Sequence, residues 1–165
     1  MAESIAFSKD AGREQIYAEL LPQIEALIAD EPDLIANLAN VAAVLKEAFG
    51  FFWVGFYLKK GDQLVLGPFQ GPLACTRIEF DSGVCGHAYS TRETVIVPNV
   101  DEFPGHIACS SASKSEIVVP LISGDAVAGV LDVDSEIPDD FSTIDAIGLE
   151  RVVSLITPQL SSTPA

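Results

Sequence analysis

Three cysteines and a group of acids are the side chains of this sequence that could do chemistry. Cys75, Cys85 and Cys109 each fall in a loop or at the end of an element rather than inside an apolar run. A thiolate is both a nucleophile and a metal ligand, and two thiols within reach of each other can form and exchange a disulfide. Downstream of Cys109 come three carboxylates, Glu116, Asp132 and Asp134. Period-two alternation puts Ala128, Val130, Asp132 and Asp134 on one face of a strand, with Val127, Gly129, Leu131 and Val133 on the other. A strand this apolar belongs in the middle of a sheet. There, acids two residues apart repel each other and are costly to bury without a cationic or hydrogen-bonding partner. The arrangement asks for a ligand.

Glu116 joins the two aspartates only if it lies on the same face of the hairpin. Directly paired residues of antiparallel strands share a face, so their numbers must sum to an even value and the connecting loop must have an odd length. A three-residue loop, Ser123-Gly124-Asp125, meets that condition. A two-residue Gly124-Asp125 turn without a bulge sets Glu116 opposite Val133 and scatters the acids.

The elements that must hold these residues are legible in outline. Ile16, Leu20, Ile24, Leu27 and Ile28 recur at helical spacing between Ala11 and Ala29, with Pro22 expected to kink or divide the helix. Leu34, Leu38, Val41, Leu45 and Phe49 mark a second helix, stopped by Gly50. Phe51 to Leu58 reads as a buried strand, and Lys59-Lys60-Gly61-Asp62 turns it into Gln63-Leu64-Val65-Leu66. Trp53, Gly55 and Tyr57 share a face, either as core or as the wall of a pocket. Gly67, Pro68, Gly71 and Pro72 read as a loop leading to Cys75, followed by a short strand from Arg77 to Phe80. Asp81 to Tyr89 reads as a turn into a short helix, whose positive end could favour a thiolate at Cys85. Thr94 to Val97 is a brief strand, the segment from Gly105 to Cys109 closes over what lies beneath, and Phe141 to Leu160 is a last helix before a frayed tail, Ser161 to Ala165. Two helices, mostly hairpin-connected strands with one short crossover helix, and a final helix argue an α+β architecture with an antiparallel sheet.

Composition narrows the partners. At 165 residues the chain can bury a real core as one domain. A formal charge of −15 opposes nucleic acid and anionic membrane surfaces. No apolar run is long enough to span a bilayer and the N-terminus is not a signal peptide, so the expected compartment is the cytoplasm. Three cysteines there are not a structural disulfide framework. Cys85-Gly86-His87 and His106-Ile107-Ala108-Cys109 could offer ligands to zinc, but neither spacing is a usual finger or ribbon pattern. Glu116, Asp132 and Asp134 could hold a hard cation, yet a strand presents acids in a line where calcium wants a loop wrapped around it. No metal is expected.

Several segments, in this order, resemble the free methionine-(R)-sulfoxide reductases, which are single GAF domains. They are Trp53-Val54-Gly55-Phe56-Tyr57, Leu66-Gly67-Pro68-Phe69-Gln70-Gly71, Gly83-Val84-Cys85-Gly86, Gly105-His106-Ile107-Ala108-Cys109, Ser115-Glu116-Ile117-Val118-Val119-Pro120 and Gly129-Val130-Leu131-Asp132-Val133-Asp134-Ser135. The resemblance covers nearly the whole chain. It implies a GAF domain over residues 1–165 with the N-terminal helices packed on the sheet. It implies Cys109 as nucleophile, Glu116, Asp132 and Asp134 holding the substrate, Trp53 and Tyr57 lining the pocket, and no cofactor. Thioredoxin as reductant and a homodimer are implied as well. Two positions depart from the family pattern: Ser110 follows the nucleophile where aspartate is usual, and Asp81-Ser82 replaces a more usual Gly-Lys.

The residues suit that chemistry. A sulfoxide sulfur becomes electrophilic once its oxygen is protonated or hydrogen-bonded, so its reduction needs a thiolate, an acid near the oxygen and a second thiol to remove the sulfenic acid. Cys75 or Cys85 is the candidate second thiol, and Glu116 or Asp134 the candidate acid. Free methionine sulfoxide carries an ammonium group that matches clustered carboxylates. The alternative is a GAF ligand sensor with incidental cysteines, although a pocket walled by three acids repels the phosphate of a cyclic nucleotide.

Overall fold

The computed structural model describes residues 4–161. In chain order the elements are α1 (Arg13–Ala29), α2 (Leu34–Phe49), β1 (Trp53–Lys60), β2 (Gln63–Gln70), β3 (Arg77–Glu79), α3 (Gly83–Thr91), β4 (Val95–Val97), β5 (Ser115–Ser123), β6 (Ala126–Ser135) and α4 (Thr143–Leu160). The strands form one sheet in the order β3-β2-β1-β6-β5-β4, antiparallel at every pairing. This is the expected α+β architecture, a central antiparallel sheet flanked by helices.

The two faces of the sheet differ in kind. On one, α1, α2 and α4 bury Leu20, Ile24, Leu38, Leu45, Leu149 and Ile156 against Val54, Phe56, Ile117, Val119, Leu131 and Val133. On the other, α3 and the connecting loops cover Trp53, Tyr57, Val118 and Val130. Alternation does the sorting, because successive residues of β1, β5 and β6 point to opposite faces. Two helices on the first face, α2 and α4, carry side-chain caps. The Asp33 side chain accepts from Ala36 N at 2.9 Å, Gly50 ends α2 with φ of 65°, and Ser142 and Asp145 form a capping box at the start of α4.

Several local expectations are corrected. Pro22 does not divide α1, which is continuous around it. The missing bond falls at Ala18, on the exposed side of the helix, where water can satisfy the freed carbonyl. Gly67 and Pro68 lie inside β2 rather than in a loop, and β2 runs on to Gln70. A register shift between Gly55 and Tyr57 lets the strand pass this irregular stretch.

The turn between β5 and β6 is the two-residue Gly124-Asp125 form, since Ser123 pairs with Ala126 and Ile122 with Val127. The expected three-residue loop is therefore wrong, and the even register arises by another route. A bulge at Ala128 shifts the pairing, so that Leu121 meets Gly129 and Glu116 meets Asp134. The tail expected to fray lies, apart from Ser161, outside the described residues. Among the described residues no helix is long and apolar enough to cross a membrane.

Candidate active site

β5 and β6 bring the acids together. Glu116 stands opposite Asp134, Val118 opposite Asp132, and β1 places Trp53 beside Asp134 and Gly55 beside Asp132. Glu116, Asp132 and Asp134 line one pocket with Phe52, Trp53, Tyr57, Val84, Cys85, His106, Ser113 and Cys109. Its open space, solvent at the mouth included, is about 560 Å³. Gly55 is required here, because a Cβ would run into the Phe69 side chain and the folded-over ring of Trp53.

The acids are buried without a cation. Among the described residues, no lysine or arginine lines the pocket. Burial pushes the Glu116 carboxyl up to about 8, and the nearby Asp134 adds to the shift. Burial likewise raises Asp132 and Asp134 well above the usual carboxylate range, with Glu116 pressing on Asp132 and Asp132 on Asp134. Asp132 lies within hydrogen-bonding reach of both Glu116 and Cys85. The Ser113 hydroxyl donates to Asp134 Oδ1 at 2.7 Å. Asp132 Oδ1 is buried with no hydrogen-bond partner. A buried carboxylate oxygen left open, in a site that already holds protons it would rather exchange for a cation, marks where a positively charged ligand group belongs.

The sulfurs divide into a pair and a single thiol. Cys75 and Cys109 are joined in a disulfide with Cα atoms 5.5 Å apart, which ties the loop after β2 to the loop before β5 across the mouth. Cys85, in the first turn of α3, is free and buried. The expected thiolate at that helix start is not found. Burial pushes the Cys85 thiol well up, and Asp132, Glu116 and Asp134 add negative charge around it, which outweighs the helix end.

Trp53 and Tyr57, which the residues alone left as core or wall, are buried and line the pocket, stacked with ring centroids 5.9 Å apart. Their polar atoms are engaged in holding the first cysteine loop, for Trp53 Nε1 donates to Pro72 O at 3.1 Å and the Tyr57 hydroxyl to Cys75 O at 2.8 Å. These aromatics are wall and brace at once.

Two residues were missed by sequence reasoning. His106 Nε2 lies 3.5 Å from Glu116 Oε2, and burial lowers its pKa against the opposing pull of Asp101. His106 had been considered only as a zinc ligand, and its three-residue spacing from Cys109 was the available signal. Ser113 carried none, since a serine in a serine-rich turn looks like any other. His87, the other histidine of the zinc pattern, is exposed and packs edge-on to Phe103.

The GAF domain family matches residues 33–160. "GAF domain-containing protein A" of Dictyostelium discoideum is 56% identical over 157 residues, covering 94% of this chain and 99% of that protein. The free methionine-R-sulfoxide reductase of Escherichia coli is 43% identical over 150 residues, covering 90% and 91%. The crystal structure of the free methionine-R-sulfoxide reductase of Neisseria meningitidis in complex with its substrate superimposes with a TM-score of 0.94 at 53% identity, covering 98% of this chain and 97% of the other.

Proposed function

The chain belongs to the GAF domain family and, within it, to the free methionine-(R)-sulfoxide reductases, and from that premise we propose how its residues reduce free methionine-(R)-sulfoxide to methionine. The carrying observation is the convergence, in one pocket, of three cation-free buried carboxylates and a cysteine pair able to form a disulfide. The ammonium group of the free amino acid takes the open side of Asp132, with Asp134 completing the negative wall. Trp53 and Tyr57 cover the apolar part of the side chain. This places the sulfoxide at the mouth, where the sulfurs are.

Cys109, as thiolate, attacks the sulfoxide sulfur. Glu116 holds a proton near neutral pH, since its pKa is pushed up to about 8, and it is the acid that protonates the departing oxygen. Oxygen passes to Cys109 as a sulfenic acid and methionine leaves. Cys75 then condenses with the sulfenic acid, releasing water and forming the Cys75–Cys109 disulfide. Thioredoxin reduces that disulfide, two electrons and two protons per cycle, and no cofactor is called for. Cys85 stays a neutral thiol bonded to Asp132 and shapes the floor of the pocket. A homodimer is the assembly we propose, and light scattering tests it.

The experiment is a methionine-release assay with purified protein, dithiothreitol and the separated R and S forms of free methionine sulfoxide. Release from the R form alone is expected. No release from either form refutes the reading and leaves a ligand-binding module in its place.

A further inference from the structure

The disulfide is not symmetric in its surroundings. Cys75 is half-buried, and its loop is fixed to the sheet by Tyr57 and Trp53 through the carbonyls of Cys75 and Pro72. Cys109 is exposed, and the backbone bonds of its segment close on the segment itself, His106 N to Phe103 O at 3.1 Å and Cys109 N to Ile107 O at 3.1 Å. One sulfur is braced and the other presented.

The surface around the pair is also unlike the rest of the chain. Leu73 is 91% exposed and Ile107 40% exposed, and each precedes a bridged cysteine by two residues. Exposed apolar side chains scattered singly mean little, but these two border the same pocket mouth. The chain carries 24 acids and a net charge of −15, yet none of those acids lies between Gly71 and Arg77 or between Phe103 and Ser115. Apart from His106, the ionic residues of those two segments are Arg77 and Lys114. The two segments that carry the disulfide therefore present no acid of their own to an approaching protein.

We propose that this acid-free apolar collar is the docking surface of a dithiol protein whose reactive thiol is framed by apolar and acidic surface, and that the attack falls on Cys109. The inference rests on Cys75–Cys109 being the pair that is recycled. The partner's thiolate bonds to Cys109 Sγ, the Cys75–Cys109 bond breaks, and Cys75 leaves as a thiolate that takes up a proton in its braced loop. The partner's second thiol then attacks its own sulfur in the mixed disulfide, frees Cys109 and leaves the partner oxidised. Access decides which sulfur is struck.

Two measurements test this on the full chain, with a thioredoxin as the probe. A thioredoxin with its second cysteine changed to serine is mixed with the oxidised protein, and the trapped mixed disulfide is mapped by mass spectrometry. Attachment at Cys109 is expected, and attachment at Cys75 overturns the direction of attack. In steady state, Ala108→Glu and Thr76→Glu return an acid to the collar at exposed positions outside the pocket. Each should raise the KM for thioredoxin about tenfold, with dithiothreitol-driven turnover within twofold of wild type. An unchanged KM in both variants overturns the collar. Loss of turnover with dithiothreitol in the unmodified protein refutes instead the reading on which the inference rests, so the two failures are told apart.

Discussion

Asp145 and Asp132 are both buried aspartates at the boundary between the sheet and its cover, and their surroundings are opposite. Asp145, on the helical face, receives Arg13 Nη1 at 3.1 Å and the Tyr17 hydroxyl at 2.8 Å, and closes the capping box of α4. Arg13 also reaches Asp140 at 2.9 Å and packs over Phe51 and Phe141. Asp132, on the pocket face, has carboxyls and a thiol for neighbours and one oxygen with nothing. The first site contains its cation; the second is shaped for one the chain does not supply. A buried acid that the fold completes is structure, and a buried acid that the fold leaves incomplete is a binding site.

The sharpest division between the faces is chemical. Cys109→Ser should abolish the first turnover, whereas Cys75→Ser should release one methionine per active site and then stall. Rapid-quench analysis of the first cycle separates them, and a wild-type burst in Cys109→Ser sinks the assignment of the nucleophile. Neither change touches the helical face.

The next effect concerns what completes Asp132. Acylating the amine of methionine sulfoxide removes its charge and leaves the carboxyls unpartnered. Each charge-assisted hydrogen bond lost is worth about 1.5–3 kcal/mol, so losing two should lower kcat/KM for the N-acetyl substrate on the order of a thousandfold. Asp132→Asn should weaken the free substrate far more than the acetylated one. Equal efficiencies for the two substrates, or an equal loss in the variant, would show that the acidic wall does not hold the amine.

Stability should respond in the opposite sense. Arg13→Met leaves Asp145 and Asp140 without their cation and should cost about 3 kcal/mol, read as a lower urea midpoint. Asp132→Asn relieves repulsion in the ligand-free protein and should leave the midpoint unchanged or raise it. If both variants lose stability alike, the contrast between a completed and an incomplete site fails.

How much of this the sequence carries depends on the range of the interaction. The acids on β6 and the aromatics on β1 were placed correctly because alternation is local and has no memory beyond two residues. The convergence with Glu116 was conditional on register, and the turn was misread because a bulge at Ala128 has no strong local signature. Gly67 and Pro68 read as a loop because their types favour turns, yet a bulge in β2, two residues opposite Phe56 alone, keeps them in the strand. Cys85 was misjudged for a related reason. The helix end beside it is visible in sequence, whereas the three carboxylates that overrule it come from strands thirty to fifty residues away. The choice between Cys75 and Cys85 as the partner of Cys109 was open for the same cause, since only the packing of the two mouth loops shows which thiol is in reach.

The smallest effect expected is a slope. Carboxyls whose folded pKa is raised hold protons that the unfolded chain has already released, since unfolded Asp and Glu titrate near 4. With the native state binding more protons, stability falls as pH rises, by about 1 kcal/mol per pH unit for each proton retained. The loss begins above the unfolded pKa and is complete above the folded one, which for Glu116 is about 8. His106, whose pKa burial lowers, works in the opposite direction below about pH 7, because its unfolded form takes up protons first. Between pH 7 and 8 the unfolded histidine is mostly neutral, and the carboxyls set the slope, joined toward pH 8 by the raised Cys85 thiol. Urea midpoints over that interval should therefore drop in the ligand-free protein, and Glu116→Gln should reduce the slope. Saturating Cys109→Ser with free methionine-(R)-sulfoxide should flatten it further, since an ammonium partner lets Asp132 and Asp134 ionise without penalty. A slope that is flat without ligand, or that survives saturation unchanged, would mean that the pocket acids are not waiting for a cation.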